Sequence, residues 1–241
     1  MIRYDNKLLR NLVWVFALMN ASLCLLDTNF NVALFMHQHM GMIAEKCSQD
    51  YSISREEQDD FARESYRRAQ EAIASGVFEE IVPVSVPRRK GDPIIVSEDE
   101  EPAALNLEKL STLKPAFDRK NGTVTAANAS SLNDGACALV LMTEKEALEK
   151  GVQPLASIRG FGDAEQDPLL FTTTPSLAVP VALRHAGIEL SDVDFHEINE
   201  AFSVVALANM RLMNIDPSIC NVFGGAVALG HPIGMSTIAN I

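Results

Sequence analysis

Residues 200–213, Glu-Ala-Phe-Ser-Val-Val-Ala-Leu-Ala-Asn-Met-Arg-Leu-Met, read as a helix that is apolar almost all the way round. A helix with one apolar stripe can rest on a surface, but a helix without a polar face must be enclosed. That requirement calls for packed layers around it. The flanks favour an α/β arrangement: Val193–Ile198 reads as a strand entering the helix and Cys220–Phe223 as a strand beyond it. At 241 residues the chain has room for one large α/β domain or two smaller ones, each with its own core.

The remaining punctuation fits the same class. Ser54-Arg-Glu-Glu57 is a capping box that starts a helix running to Ser75, with Gly76 closing it. Phe61, Ala62, Tyr66, Ala69, Ala72 and Ile73 fall on one face of that helix. Thr143-Glu-Lys-Glu146 is a second capping box, and Gly151 ends its helix. Thr174-Pro175 opens a third, with proline in the first turn and Gly187 at the end. Ile81–Val86, Pro93–Val96, Gly122–Thr125 and Ala156–Phe161 read as strands, and the apolar run Ala136–Met142 as a buried one. Pro102 to Lys120 reads as loop with one short helix at most.

The formal net charge is −12, which disfavours binding nucleic acid through its phosphates. Residues 1–36 differ from the rest: three basic residues face two acidic ones, the chain's one Trp lies here, and Asn11–Leu26 has no charge. The apolar run Leu12–Met19 is short for a membrane span, which needs roughly 20 residues. A secreted or membrane-anchored protein led by residues 12–19 is therefore a subordinate reading. Cys24, Cys47, Cys137 and Cys220 form no CxxC pair. That usage suits a reducing compartment, the cytoplasm or the mitochondrial matrix. His37 and His39 lack a supporting carboxylate or thiol, so a metal site there is disfavoured.

Three stretches could carry chemistry. His196-Glu-Ile-Asn-Glu-Ala-Phe202 lies where a strand hands over to the enclosed helix, a common place for α/β active sites. Asn199 could orient a water or donate to an oxyanion there; equally, it could be a simple N-cap, with Glu200 complementing the helix dipole. Gly224-Gly-Ala-Val-Ala-Leu-Gly-His-Pro-Ile-Gly234 holds a histidine on a glycine-dense loop, suited to base work near neutral pH, with a tight turn that points the His to solvent as the alternative. It has no Gly-Lys-Ser/Thr, so a phosphate cradle is excluded. Thr123-Val-Thr-Ala-Ala-Asn-Ala-Ser130 is a small-residue loop with carbonyls that could hold a monovalent cation, or a plain buried turn.

In order and spacing these stretches resemble the thiolase family, in its acetyl-CoA acetyltransferase branch. His39-Met-Gly-Met-Ile-Ala-Glu45, Ser54-Arg-Glu-Glu-Gln-Asp59, Lys114-Pro-Ala-Phe117 and Leu132-Asn-Asp-Gly135 belong to the same likeness. The resemblance implies a layered α-β-α-β-α fold with an inserted loop domain, here incomplete. Residues 37–131 would be mostly that loop domain, 132–151 the end of the first half, 152–241 a truncated second half, and 1–36 a leader outside it. It implies acetyl transfer between two acetyl-CoA molecules to give acetoacetyl-CoA and coenzyme A, or the reverse, through an acyl-cysteine. His231 would be the activating base, and Asn199 would hold a water that shares an oxyanion hole with it. His39, Met40, Tyr66, Lys109, Phe117 and Ser130 would line the coenzyme A site. Tyr66 with backbone at Ala126, Ala127, Ala129 and Val227 would bind potassium. Intact relatives would be homo-oligomers, dimers or tetramers.

The cysteines depart from the family. A nucleophile followed by a small residue and serine is expected well upstream of His39, yet Leu23-Cys-Leu-Leu26 has apolar neighbours. The family's Cys-x-Gly-Gly-Gly stretch is not found either. The expectation is negligible turnover by this chain alone, with a catalytically silent coenzyme A-binding or subunit-docking module as the alternative.

Overall fold

The computed structural model describes residues 39–104 and 106–236, with the backbone of Phe16–Ala17. Among the described residues the helices are α1 (Met40–Asp50), α2 (Arg55–Ala74), α3 (Glu101–Ala104), α4 (Glu144–Lys150), α5 (Pro175–Ala186), α6 (Ser203–Met213) and α7 (Ala226–Leu229). The strands are short: β1 (Phe16–Ala17) pairs in parallel with β4 (Phe161–Gly162), and β2 (Val84–Val86) forms an antiparallel hairpin with β3 (Ile94–Val96).

The enclosed helix is α6. It buries Ser203, Val204, Val205, Ala206, Ala208, Asn209 and Met210, and α1, α2, α5 and the 3-10 turn Pro168–Thr173 pack around it. Its buried amide is fully used: Asn209 Oδ1 accepts from the Ser176 amide at 2.9 Å, while Nδ2 donates to the Thr172 and Val205 carbonyls, both at 2.8 Å. The helix begins at Ser203, later than the apolar pattern suggests. The Ser130 amide donates to the Ala201 carbonyl at 3.1 Å and the Ser203 amide to the Asn128 carbonyl at 2.9 Å. Pairing with that loop holds Phe202 extended, so it is Phe202, not Asn199, that stands at the N-cap.

Helix α2 follows its capping box. The Glu57 amide donates to Ser54 Oγ at 3.1 Å and the Ser54 amide to Glu57 Oε2 at 2.7 Å. Such a cap stabilises a helix by about 1 kcal/mol. Ala62, Tyr66, Ala69 and Ala72 are buried as the periodicity requires, whereas Ile73 is exposed. Thr143 caps α4, and Gly151 and Gly187 end α4 and α5 in the left-handed region. Helix α1 and the single turn α7 carry weak sequence cues. Gly41 sits in the first turn of the first, and four residues are too few for a period to show in the second.

The strands depart most from expectation. Ala136–Met142 forms no strand and lies exposed, Val140 at 84% and Leu141 at 72%. A continuous apolar run becomes a buried strand only between partners, and no described strand lies beside it. Gly122–Thr125 is fixed differently. The buried Glu45 carboxylate accepts from the Thr123 amide at 2.8 Å and the Val124 amide at 2.9 Å, taking donors that a neighbouring strand would use. Among the described residues, the backbone pairing of Val193–Ile198 with Cys220–Phe223 is limited to a parallel bridge, His196 to Cys220. The region after Pro102 holds α3 and the 3-10 turn Leu107–Thr112, two short helical pieces rather than one. No described helix is long and apolar enough to cross a membrane.

Candidate active site

Two loops converge ahead of α6. The His196 amide donates to the Ile219 carbonyl and the Asn221 amide to the His196 carbonyl, both at 2.8 Å. Asn221 then turns left-handed, at φ 50°. Its side chain continues the pairing where the backbone stops: Oδ1 accepts from the Ile198 amide and Nδ2 donates to the Ile198 carbonyl, each at 2.8 Å. This ties the segment carrying Asn199 to the segment leading to His231.

Glu200 locks the junction from beneath. It is 1% exposed, and its carboxylate accepts from Ser65 Oγ at 2.7 Å, Asn221 Nδ2 at 2.7 Å and the Val227 amide at 3.2 Å. A Cβ at Gly225 would stand 2.4 Å from the Glu200 carboxyl carbon, so the loop can close over the carboxylate only with glycine there. Burial holds the Glu200 carboxyl above the usual carboxylate range, against the donors from Ser65, Asn221 and Val227. Glu197 is pushed up to about 8, chiefly by burial and then by the charge of Glu200. The glutamate read from sequence as a dipole complement is thus a clamp between α2, Asn199's segment and α7. The signal available in sequence was its place at the head of the apolar stretch that follows it.

His231 follows α7, and its amide donates to the Ser131 carbonyl at 2.9 Å. Its Nε2 lies 3.3 Å from Asn199 Nδ2, and its Nδ1 lies 2.7 Å from Ser236 Oγ. Burial lowers the His231 pKa, favouring the neutral ring at pH 7. With Asn199 Nδ2 facing the ring, Asn199 Oδ1 is buried without a partner, one of three such side-chain atoms among the described residues, with Gln58 Oε1 and Ser203 Oγ. An unmatched buried acceptor costs about 1–3 kcal/mol, so a donor there is strongly favoured. Ser236, which sequence reading left without a role, completes the contacts of the ring.

The other predicted residues fall into groups. His39 caps α1, and its ring lies 4.9 Å from that of Phe117, which meets Phe202 edge-on at 6.2 Å. Gly41 makes room for this: a Cβ there would come within 2.2 Å of the Phe117 ring. Tyr66 packs with Leu110, Ala127 and Val227 in one buried cluster, and burial raises its hydroxyl pKa to about 12. Ser130 Oγ donates to the Ala201 carbonyl at 3.0 Å, next to Asn199's segment. Ala129 bridges to Phe202, whereas Met40, Lys109 and Ala126 are exposed. Among the described cysteines, Cys47 and Cys220 are buried with thiol pKa values raised chiefly by that burial, and Cys137 is exposed. Cys24 and His37 lie outside the described residues, as does the Leu12–Met19 run apart from the backbone of Phe16–Ala17.

These features define a mostly helical protein with few, short strands and an imidazole–amide pair on two loops in front of an enclosed helix. Residues 22–145 match the thiolase N-terminal domain and residues 152–240 the thiolase C-terminal domain; the chain belongs to the thiolase family. It is 58% identical over 199 residues to an acetyl-CoA acetyltransferase of Schizosaccharomyces pombe, covering 82% of this chain and 50% of that protein. The acetyl-CoA acetyltransferase of Saccharomyces cerevisiae is 54% identical over 200 residues, with the same coverage. A relative from Gibberella zeae, described as cytosolic, is 49% identical over 203 residues, covering 84% of this chain and 51% of that protein. The chain thus spans about half the length of the curated relatives it matches. Among solved structures, the Bacillus anthracis acetyl-CoA acetyltransferase superposes with a TM-score of 0.79 at 45% identity, over 83% of this chain and 52% of that one. The Acat5 thiolase of Ascaris suum, solved with coenzyme A, gives 0.79 at 43% identity, over 86% and 53%.

Proposed function

We propose that this chain carries the acid–base and ligand-binding part of an acetyl-CoA acetyltransferase, serving acetyl transfer between two acetyl-CoA molecules or the reverse thiolysis. The observation that carries the proposal is the contact of Asn199 Nδ2 with His231 Nε2 at 3.3 Å, beside an unpartnered Asn199 Oδ1. A neutral imidazole can take a thiol proton through Nε2. Once protonated there, it can donate to a thioester oxygen. The unmatched Asn199 oxygen is suited to holding a water beside it, which would give the oxyanion a second donor. The likeness to acetyl-CoA acetyltransferases supports the short acyl chain.

Coenzyme A is assigned to His39, Met40, Tyr66, Lys109, Phe117 and Ser130. The tilted His39–Phe117 ring contact and the exposed Lys109 support this assignment for a ligand with both a flat and an anionic portion. Calorimetry on the purified chain should show weak coenzyme A binding, with Kd on the order of 0.1–1 mM. Phe117→Ala should weaken it by about fivefold, the loss of one aromatic contact of roughly 1 kcal/mol. A folded sample that gives no binding heat rejects the assignment.

Potassium is proposed at Tyr66 with backbone at Ala126, Ala127, Ala129 and Val227. The residues fit: Tyr66, Ala127 and Val227 share one cluster, and the carbonyls of Ala126, Ala127 and Ala129 accept no hydrogen bond among the described residues. The ion would stiffen the loop that leads to Ser130. Replacing potassium with sodium should then lower the melting temperature and weaken coenzyme A binding together; identical behaviour in the two salts removes the site from the proposal. The exposed aliphatic residues of β2 and β3, Ile95 at 60% among them, support association into a dimer or tetramer, which sedimentation velocity reads directly. The Gibberella relative supports a cytosolic setting over the mitochondrial matrix.

A further inference from the structure

Ser236 is 5% exposed, and its hydroxyl is the one described side-chain group that meets His231 Nδ1, at 2.7 Å. The same hydroxyl lies 3.3 Å from the Pro232 carbonyl, to which it donates. A hydroxyl has one proton. If that proton goes to the Pro232 carbonyl, the oxygen facing the imidazole offers a lone pair, and the ring must supply the hydrogen at Nδ1. A neutral imidazole has only one N–H. Nε2 is then bare, and Asn199 Nδ2 can donate to it. Each of the three contacts thus satisfies the next; with the hydroxyl kept on the Pro232 carbonyl and the Asn199 amide in this orientation, reversing the tautomer would set a bare Nδ1 against the lone pair of Ser236 and an N–H against the Asn199 amide hydrogens.

We propose that Ser236 is a positioning residue that holds neutral His231 in the Nδ1–H tautomer and so keeps Nε2 available as the proton acceptor facing Asn199. This deepens the functional reading above and rests on its assignment of His231. Pro232 serves the same end. It lies one residue after the histidine, and its carbonyl both accepts the Ser236 hydroxyl and receives the Ser236 amide at 3.0 Å, so a single tight turn carries the serine back to the ring.

The test is the nitrogen spectrum of the imidazole in the full 241-residue chain, labelled with 15N and held above the pKa of His231. The His231 resonances are identified by their loss in His231→Gln. Wild type should show a protonated Nδ1 and a bare Nε2. Ser236→Ala should convert this to a mixture or to the Nε2–H form, and should lower the His231 pKa by on the order of half a unit, because the hydrogen bond to the cation is lost. Ser236→Thr keeps the hydroxyl and should restore the wild-type pattern. An Nε2–H ring in wild type overturns the proposal without any variant, even if Ser236→Ala does not fold. An unchanged tautomer in folded Ser236→Ala overturns it as well. Coenzyme A calorimetry is independent of this measurement. Loss of coenzyme A binding with an Nδ1–H ring removes the functional reading alone, and binding with an Nε2–H ring removes the role of Ser236 alone.

Discussion

Glu200→Ala is expected to unfold much of the chain at room temperature. The substitution strands three donors, Ser65 Oγ, Asn221 Nδ2 and the Val227 amide, at a site 1% exposed to water. Leaving a buried polar group unmatched costs about 1–3 kcal/mol, and breaking a buried charged network costs about 3–5 kcal/mol. A domain has only about 5–15 kcal/mol in total. Urea denaturation followed by circular dichroism would show a midpoint shifted far down or no transition at all. Glu200→Gln keeps the volume and one oxygen, so its loss should be smaller and should depend on pH. Burial holds the folded pKa of Glu200 above its ordinary value of 4.5, so the native state holds this proton more tightly than the unfolded chain does. Wild-type stability from this group therefore falls as pH rises from 4.5 through the raised folded value, whereas Gln has no proton to lose. The gap between wild type and Gln should narrow with rising pH. A Glu200→Ala variant with an unchanged midpoint would discard the clamp.

Purified chain given acetyl-CoA should form acetoacetyl-CoA slower than an intact acetyl-CoA acetyltransferase by on the order of 10⁴-fold or more, the scale of losing a nucleophile. The thiolate is the reactive form. Cys47 and Cys220 are buried with raised pKa values, so little thiolate forms, and Cys220 also faces the carboxylates of Glu197 and Glu200. Cys137 is exposed, and among the described residues the His231 ring bonds to Asn199 and Ser236 rather than to this thiol. His231 would have a proton acceptor ready and no described thiol to deprotonate. A product-forming rate within tenfold of an intact relative would sink this, and peptide mapping of the acetylated residue would then name the thiol.

The helices were legible because their signals are local. Ser54 with Glu57, Pro175 with Gly187, and Thr143 with Gly151 each act within a few residues, and each appears where expected. Asn199 and His231 were legible as a pair through the resemblance, and they do meet. The strands were not, because a strand needs a neighbour that its own residues do not specify; Ala136–Met142 has the composition of a buried strand and lies exposed. The roles of Glu200 and Ser236 were hidden for a related reason. Glu200 draws its donors from residues far along the chain, and Ser236 matters only through a five-residue turn whose shape no periodicity reports.

The same long-range bonds set a schedule for synthesis. Ser65 and Glu200 are separated by 135 positions, Arg68 and the Cys220 carbonyl by 152, and the Gly225 amide and Ser65 by 160. A ribosome adding about 5–20 residues per second needs roughly seven to thirty seconds to deliver those partners. During that interval α2 has its cap and its own charge pairs, but a 20-residue helix alone is only marginally stable. Closing loops of this size before any packing reward also places the chain among slow folders. Ser236 emerges after every other residue of the site, so nascent His231 meets water before it meets the hydroxyl on its ring.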